Sequence, residues 1–192
     1  MPRNNIRFMI YPIYIYGSSV LRKVAEEVAP DYPELKEFAS DMFETMYESD
    51  GVGLAAPQIG KSLRMFVIDA DPFSKDYPEG KGFKRVCINP EILERSDDTW
   101  FFNEGCLSVP GVHEDVERPS EVKVRYFDEN FVEHIEDLDG INARVFQHEF
   151  DHLDGNVFTD RLAPIRKTLL KGRLQKMSKG NYKAAYRCKQ VK

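Results

Sequence analysis

Cysteine is scarce in this chain of 192 residues, which contains three cysteines in all. An odd and sparse set cannot supply the disulfide framework of a small secreted domain, and it favours a reducing compartment. No run of about 18 uninterrupted apolar residues occurs, so we expect no membrane-spanning segment. The beginning of the chain has no apolar core followed by a small-residue cleavage site, so we expect no signal peptide. These absences predict a cytoplasmic protein.

Acidic residues are missing from the end of the chain. Residues 161–192 contain eleven lysines and arginines and no acid, although the whole chain carries a formal net charge of −5. A basic helix and tail on an acidic body fits a polyanionic partner, and a solvated helix face explains the same pattern equally well. The remaining composition, with 42% apolar residues, predicts one domain over residues 1–192. Residues 1–8 are expected to be an N-terminal extension, and the protein is expected to be a monomer.

Histidine is also rare, but two of the four histidines have a spacing that is typical of a metal site. His148 and His152 are four residues apart, so on a helix both rings face one side and can bind one ion. Glu149 lies about 100° around the helix, where it can reach a water on that ion without ligating it. This H-E-x-x-H pattern supplies two imidazole ligands and a general acid–base. Taken alone, it describes a hydrogen-bonded, half-buried histidine pair equally well.

A catalytic metal site usually has three protein ligands, so a third ligand is needed. The patterns of common metallopeptidases do not provide it, because Phe158 stands where a metzincin has histidine and no glutamate follows Glu149. The candidates that remain are His113, His134, the three cysteines and several aspartates. Among these, Cys106 lies in an unusual setting between glycines and a proline.

Three segments resemble the signature motifs of the peptide deformylases, and they occur in the order found in that family. They are GVGLAAPQ at residues 51–58, EGCLS at residues 104–108 and QHEFDHL at residues 147–153. Similar residues extend from about Ile10 to about Leu174. A single H-E-x-x-H carries little weight, whereas three motifs in the correct order are a specific signal.

The resemblance implies a ligand set of Cys106 thiolate, His148 and His152, with water in the fourth position. One cysteine with two histidines suits zinc or iron(II), and the ligand types do not choose between them. The resemblance implies Fe²⁺ as the physiological ion, with Zn²⁺, Ni²⁺ or Co²⁺ as possible replacements.

The resemblance also implies the reaction, which is hydrolysis of the N-formyl group from the N-terminal formyl-methionine of newly made polypeptides, with release of formate. Glu149 would move the proton from water to the leaving amine. The Gln58 side-chain amide and the Leu107 backbone N–H would stabilise the negative charge that develops on the formyl oxygen. The ribosome, with its RNA, then becomes a candidate partner for the basic segment. The alternative function is a metallopeptidase that cleaves internal peptide bonds with a different third ligand.

An apolar wall is expected beside the site to receive the methionine side chain, although plain core packing explains the same residues equally well. Glycines of the motifs would let backbone approach the substrate closely. Arg144 stands where related sequences often have an apolar residue, which bears on the polarity of this wall. The predicted substrate-binding residues are Val52, Gly53, Phe102, Gly105, Ile141 and Val145.

The order of apolar patterns predicts an α+β fold, with mostly antiparallel sheets packed around a central metal-binding helix and a C-terminal helix. Residues 49–60 should be irregular and lie at the surface or along a cleft, and residues 71–84 should form a mobile loop. Strands are predicted at 64–70, 85–93, 121–127 and 131–135. Helices are predicted at 31–48 with Asp31 as cap, from the cap Asp139 to Gly155, and from Pro164 with Ile165, Leu169, Leu174 and Met177 on one side.

Overall fold

The computed structural model describes residues 8–191, so the predicted N-terminal extension lies almost entirely outside the described residues. The strands, in chain order, are β1 Ile13–Tyr14, β2 Gly53–Ala55, β3 Met65–Asp69, β4 Lys84–Arg95, β5 Thr99–Gly105, β6 His113–Pro119, β7 Glu121–Phe127, β8 Glu133–Asp139 and β9 Cys188–Lys189. The helices are α1 Leu35–Glu48, α2 Gly140–Leu153 and α3 Pro164–Met177.

The main sheet has five antiparallel strands in the order β2-β3-β4-β7-β8. Side chains of β3 alternate between two apolar clusters, because successive residues of a strand point to opposite faces. Met65 and Val67 join the cluster that contains α1, whereas Phe66 and Ile68 join the cluster that contains α2. The sheet therefore separates α1 from α2. Its faces are both covered, which explains why β3 is a continuous apolar run.

Two smaller sheets complete the fold. β5 and β6 form an antiparallel pair, and β1 and β9 form a short parallel pair that joins the two ends of the described chain. The predicted α+β fold with mostly antiparallel sheets around the metal-binding helix is confirmed. Within residues 8–191, no helix is long and apolar enough to cross a bilayer.

Helix α2 begins as predicted, but a different residue caps it. Asp139 occupies the N-cap position without a side-chain hydrogen bond to the helix. Instead, Glu79 Oε1 accepts a hydrogen bond from the N–H of Ile141 at 3.0 Å. The end is as expected: Gly155 follows the last turn with a φ of +74°, a conformation that favours glycine.

Helix α1 starts four residues later than predicted, at Leu35 rather than near Asp31. Glu34 interrupts the helical path because its φ is +55°, in the left-handed region. The predicted capping pattern from Asp31 is therefore wrong. The apolar stripe that predicted the helix is buried, as in Phe38 and Met42.

Helix α3 begins at Pro164 as predicted, but its buried face was only partly assigned. Ile165 and Leu169 are each 66% exposed, whereas Leu170, Leu174 and Met177 are buried. The helix carries two apolar stripes, and periodicity alone does not show which one faces the core. Contacts with the first cluster select the stripe that contains Leu170.

The two segments predicted to be irregular are more ordered than expected. Residues 53–59 are buried, with β2 followed by a 3₁₀ turn at Ala56–Ile59, so the segment lies inside the protein rather than at its surface. The segment 71–84 contains two 3₁₀ turns, Asp71–Phe73 and Pro78–Gly80. It is tied down by a hydrogen bond from the N–H of Gly82 to Asp71 Oδ1 at 2.8 Å.

Candidate active site and metal centre

Three side chains of the predicted ligand set converge at one point. Helix α2 presents His148 and His152 on the same side, with ring centroids 5.3 Å apart. Cys106 follows directly after β5, and its Sγ lies 3.4 Å from His152 Nε2. One ligand atom from each of the three residues lies within 4.8 Å of the others. Donors held about 2.0–2.3 Å from one tetrahedral ion lie about 3.3–3.8 Å apart, so the 3.4 Å between Cys106 Sγ and His152 Nε2 fits a single ion.

The other candidates for a third ligand lie elsewhere. His113 is on β6, where it pairs with Gly105 across the β5–β6 hairpin. His134 is on β8, and its Nε2 lies 2.9 Å from Asp128 Oδ2. Among residues 8–191, no other histidine, cysteine, aspartate or glutamate joins the group of His148 and His152 besides Cys106.

The two imidazoles are held in different electrostatic surroundings. Burial lowers the pKa of His152 to about 3, and the charge of His148 acts in the same direction. For His148, burial is outweighed by Cys106 and Glu104, which raise its pKa well above the usual range. Surroundings that favour a proton on His148 also favour a cation beside it.

Glu104 orients His148, one of the two candidate histidine ligands, a role that the sequence did not predict. Its Oε2 lies 2.9 Å from His148 Nδ1, which leaves Nε2 of that ring for the ion. Metal-bound histidines commonly use such a carboxylate to fix the ring and its tautomer. Although burial opposes ionisation, hydrogen bonds with Arg118 and His148 hold the pKa of Glu104 well below its ordinary value. The position of Glu104 two residues before Cys106 was the one available signal.

A buried ion network holds Glu104 in place. Arg118 is 1% exposed and donates two hydrogen bonds to Glu104, at 2.6 and 2.9 Å. The same guanidinium contacts Asp151 Oδ2 at 2.8 Å. Arg144 Nη1 adds a further bond to Glu104 Oε1 at 2.9 Å. Nothing in the local sequence marks Arg118 for this role, because its partners are distant in the chain.

Gln58 points its side-chain amide into the site, as predicted. Its Oε1 accepts a hydrogen bond from the N–H of Ala55 at 2.8 Å, which fixes the orientation of the amide. Its Nε2 is directed toward Cys106 Sγ at 3.4 Å and Ser108 Oγ at 3.2 Å. The 3₁₀ turn after β2 therefore presents an N–H donor beside the candidate ligands Cys106, His148 and His152.

Glu149 lies in a closed environment next to the ligands. Its side chain is buried, and its Oε2 has no hydrogen-bond partner among the described residues. Burial raises the pKa of Glu149 to about 7, although His148 and Arg118 act to lower it. A Cβ built on Gly53 would lie 2.7 Å from Glu149 Cδ, so glycine is required there for this carboxylate position. Such a carboxylate can accept and return a proton near neutral pH.

The predicted substrate-binding residues comprise four apolar side chains and two glycines. Val52 and Phe102 are partly buried and pack against the apolar cluster that contains Ile141 and Val145. Gly105 packs against His113, whose Nδ1 would lie 2.6 Å from an added Cβ. The four apolar residues of the predicted wall therefore belong to one packed cluster. Whether the four apolar residues bind the methionine side chain stays a prediction.

Arg144 is next to this wall but does not present a free charge to it. Its guanidinium lies 4.6 Å from the ring centroid of Trp100 and 5.8 Å from that of Phe102. It is bound to Glu104 and to the carbonyl oxygens of Trp100 and Val116. The charge is thus paired with Glu104 rather than free.

A family model described as polypeptide deformylase matches residues 10–168. The chain belongs to the peptide deformylase family. The match covers the site helix, the Cys106 loop and the glycine-containing segment of Gln58, which are the three motifs that carried the resemblance. The chain is therefore a peptide deformylase, a hydrolase that removes the N-formyl group from newly made polypeptides, as predicted.

Relatives named peptide deformylase match this chain over most of its length. The protein of Cytophaga hutchinsonii is 50% identical over 181 residues, covering 94% of this chain and 97% of that protein. The protein of Flavobacterium johnsoniae is 48% identical over 188 residues, covering 94% and 96% of the two chains. Both alignments extend well beyond the three motifs.

Solved deformylase structures have the same fold. The enzyme from Thermus thermophilus is 42% identical with a TM-score of 0.79, covering 90% of this chain and 100% of that one. The enzyme from Plasmodium falciparum is 41% identical with a TM-score of 0.78, covering 88% and 95%. The architecture around helix α2 is therefore that of the family.

Proposed function

We propose that Cys106, His148 and His152 hold one divalent metal ion and that this ion is required for deformylation. The observation that carries the proposal is the convergence of one sulfur and two nitrogen donors within 4.8 Å. When bound, the ion supplies Lewis acidity, which makes a water molecule acidic enough to lose a proton near neutral pH. The thiolate and two neutral imidazoles are the ligand forms that this role needs.

Glu149 acts as the general acid–base of the reaction. Its free Oε2 and its pKa of about 7 suit a group that takes a proton from water and returns it to the leaving amine nitrogen. The water oxygen first adds to the formyl carbon, and the C–N bond then breaks as the amine nitrogen receives the proton from Glu149. The products are formate and a polypeptide with a free N-terminal amine.

Gln58 Nε2 and the Leu107 N–H stabilise the negative charge on the formyl oxygen. Gln58 is preorganised by its bond from the N–H of Ala55. Among residues 8–191, the Leu107 N–H has no hydrogen-bond acceptor, so it remains available to a substrate. Donors that are fixed before the charge develops need little reorganisation during the reaction.

The apolar wall receives the methionine side chain of the substrate. Val52 and Phe102 are its partly exposed members, and Ile141 and Val145 lie behind them in the same cluster. Gly53 keeps the adjacent strand close to Glu149. An apolar pocket with a few oriented polar groups is the usual form of such a site.

Fe²⁺ is the proposed physiological ion, and Zn²⁺, Ni²⁺ and Co²⁺ are possible replacements. A cysteine with two histidines suits both iron(II) and zinc, and a thiolate ligand is sensitive to oxidation. Anaerobic purification followed by metal analysis and a formate-release assay tests the assignment. Iron at about one equivalent per active chain supports it, whereas full activity in an iron-free preparation purified without added metal contradicts it.

The decisive test of the mechanism is replacement of Glu149. Glu149→Gln should retain bound metal and release formate from a formyl-methionyl peptide at least about 10²-fold more slowly, the scale of acid–base catalysis. Unformylated peptides serve as the control substrate, because cleavage of their internal bonds would indicate a metallopeptidase. Normal formate release by Glu149→Gln would contradict the proposed role.

A second proposal concerns the basic segment and the ribosome. Lysines of α3 and the following turn, including Lys167, Lys171, Lys176 and Lys179, are exposed. None of these four forms an ion pair among the described residues. They therefore offer free charge to phosphate groups of ribosomal RNA in the cytoplasm, where new formyl-methionyl chains emerge.

Charge reversal tests this partner more cleanly than truncation does, because the tail after α3 is part of the fold. The variant with Lys167→Glu, Lys171→Glu and Lys176→Glu should co-sediment less with ribosomes at low salt. Formate release from a free peptide should remain unchanged. Equal co-sedimentation of the variant and the unmodified protein would contradict an electrostatic contact by these lysines.

A further inference from the structure

The loop that carries the cysteine ligand is held at three consecutive carbonyl oxygens. Those of Cys106, Leu107 and Ser108 each accept one hydrogen bond, the first from within the loop itself and the other two from distant segments of the chain. The donors are, in that order, the N–H of Val109 at 2.9 Å, the phenol O–H of Tyr186 at 2.6 Å and the N–H of Tyr16 at 2.8 Å. Two of the three donors are backbone groups, so only the Tyr186 bond can be removed by changing a side chain.

Tyr186 comes from a C-terminal segment that is anchored independently of this hydrogen bond. Strand β9 pairs in parallel with β1, and the N–H groups of Ile13 and Ile15 donate to the carbonyl oxygens of Arg187 and Lys189 at 2.8 and 3.0 Å. The match to the family model ends at residue 168, so this segment lies beyond the region that the model describes. The tail therefore brings a phenol to the catalytic loop from outside the three motifs.

The bond from Tyr186 constrains the conformation of Leu107. Because a peptide unit is planar, fixing the Leu107 carbonyl also fixes the orientation of the Leu107–Ser108 unit. The Cys106 carbonyl fixes the preceding unit, which contains the Leu107 N–H. With both units held, neither dihedral angle of Leu107 can change freely. The direction of its N–H is then set before substrate arrives.

We propose that Tyr186 is a positioning residue for deformylation, whose O–H holds the Cys106–Ser108 loop so that the Leu107 N–H points at the formyl oxygen. This inference rests on the proposed role of Leu107. Tyr186 touches neither the ligands' donor atoms nor the substrate in this scheme, and it acts only through the loop. Its contribution should appear in the transition state, where the oxygen carries most charge.

The test is Tyr186→Phe, which keeps the ring and its packing but removes the donor. We expect kcat for a formyl-methionyl peptide to fall about tenfold, equivalent to about 1.4 kcal/mol, with KM within about twofold of the unmodified enzyme. Metal content per chain should be unchanged. If the role of Tyr186 were purely structural, Tyr186→Phe would lower thermal stability and leave kcat per metal-loaded chain unchanged.

Tyr182→Phe is the matched control. Tyr182 lies in the same tail and packs against the same apolar cluster, but its hydroxyl has no hydrogen-bond partner within the described part of the chain. We expect it to leave kcat and KM unchanged. Amide hydrogen exchange adds a second readout: the N–H groups of Val109 and Tyr16, which donate to the carbonyl oxygens of Cys106 and Ser108, should exchange faster in Tyr186→Phe than in Tyr182→Phe.

Measurement of Glu149→Gln in parallel distinguishes failure of the Tyr186 positioning role from failure of the proposed function. If Glu149→Gln is inactive while Tyr186→Phe keeps full kcat, the positioning role is wrong and the proposed function stands. If Glu149→Gln keeps full activity, the proposed function itself fails. A tenfold loss of kcat in Tyr186→Phe with unchanged KM and metal content supports the positioning role.

Discussion

Gly53 of β2 and Glu149 of α2 lie so close together that no side chain fits between them. A Cβ on Gly53 would be 2.7 Å from Glu149 Cδ and 2.8 Å from Cγ. The backbone of Gly53 does not itself require glycine, since its φ is not positive. Glycine is needed here because the Glu149 carboxylate occupies the adjacent volume.

Gly53→Ala should therefore displace the Glu149 carboxylate. We expect kcat/KM for formate release to fall by about 10²-fold, since general acid–base catalysis contributes on that scale. Gly172→Ala is the control: Gly172 is exposed within α3 and has nothing within 4 Å of an added Cβ. That change should leave activity intact and stabilise the fold by about 0.5–1 kcal/mol. Equal activity of the two variants would refute the displacement.

Glu104→Gln should weaken both the fold and the metal site. The change leaves Arg118 and Arg144 buried with one negative partner fewer, which costs about 3–5 kcal/mol of unfolding free energy. It also removes the carboxylate that orients His148, so metal affinity should drop by about 10–100-fold. Urea denaturation and competition with a chelator measure the two effects.

Glu91→Gln provides the comparison for that experiment. Glu91 pairs with Arg125 at 2.6 Å, but this pair is exposed to solvent. Exposed pairs contribute little, so neither stability nor metal affinity should change measurably. If Glu104→Gln behaved like Glu91→Gln, the buried network would have no role in holding His148.

Glu79→Ala should destabilise the start of the metal-binding helix. Glu79 accepts the hydrogen bond of the Ile141 N–H, so its loss should cost about 0.5–2 kcal/mol, the range for a capping residue. Glu79→Gln keeps an acceptor and should cost less. Asp139→Ala should have almost no effect, because Asp139 makes no capping bond. Thermal or urea unfolding of the three variants checks this order.

Asp128 makes the stability of the β7–β8 hairpin dependent on pH. Its Oδ1 accepts hydrogen bonds from the N–H groups of Asn130 and Val132 at 2.8 and 3.0 Å. Although partial burial acts to raise it, hydrogen bonds to His134 and these amides lower the pKa of Asp128. A carboxyl whose pKa is lowered in the folded state stabilises the fold at pH values above its unfolded pKa of about 3.9. That stabilisation is lost as the pH falls through the folded-state pKa. The stability difference between the unmodified protein and Asp128→Ala should thus be present at about pH 5 and shrink as the pH falls below about 4.

Removal of the metal ion should lower stability as well as activity. An ion that binds only the folded chain contributes about 2.7 kcal/mol when its free concentration is 100 times Kd. Chelation under reducing conditions should therefore lower the unfolding midpoint, and added Fe²⁺ or Co²⁺ should restore it. In His152→Ala the midpoint should respond much less to chelator. An identical response would place the ion elsewhere.

Local spacing was enough to predict the parts of the site that lie on one element. His148, Glu149 and His152 belong to one helix, and helix geometry alone places the two imidazoles on the same face. Alternation of apolar residues predicted β7, with Val122 and Val124 buried as expected, and a continuous apolar run predicted β3. These predictions depend on periodicity within about one turn or one strand.

Features that depend on distant parts of the chain were missed or wrong. Periodicity did not show that α3 buries Leu170 and leaves Ile165 exposed, because the choice is made by the cluster it packs against. The cap of α2 comes from Glu79 and not from the adjacent Asp139. Both errors arose where packing, and not local preference, selects between two acceptable arrangements.

The sequence by itself determined the ligand types, the spacing of the two histidines and the membership of the family. Only the tertiary structure decided that Glu104 and Arg118 support His148, that Gly53 makes room for Glu149, and that Tyr186 reaches the Leu107 loop. The physical reason is separation along the chain: the periodicity of a helix or strand relates residues that are close in sequence. Buried charges and hydrogen bonds, by contrast, join whichever groups the packed core brings together.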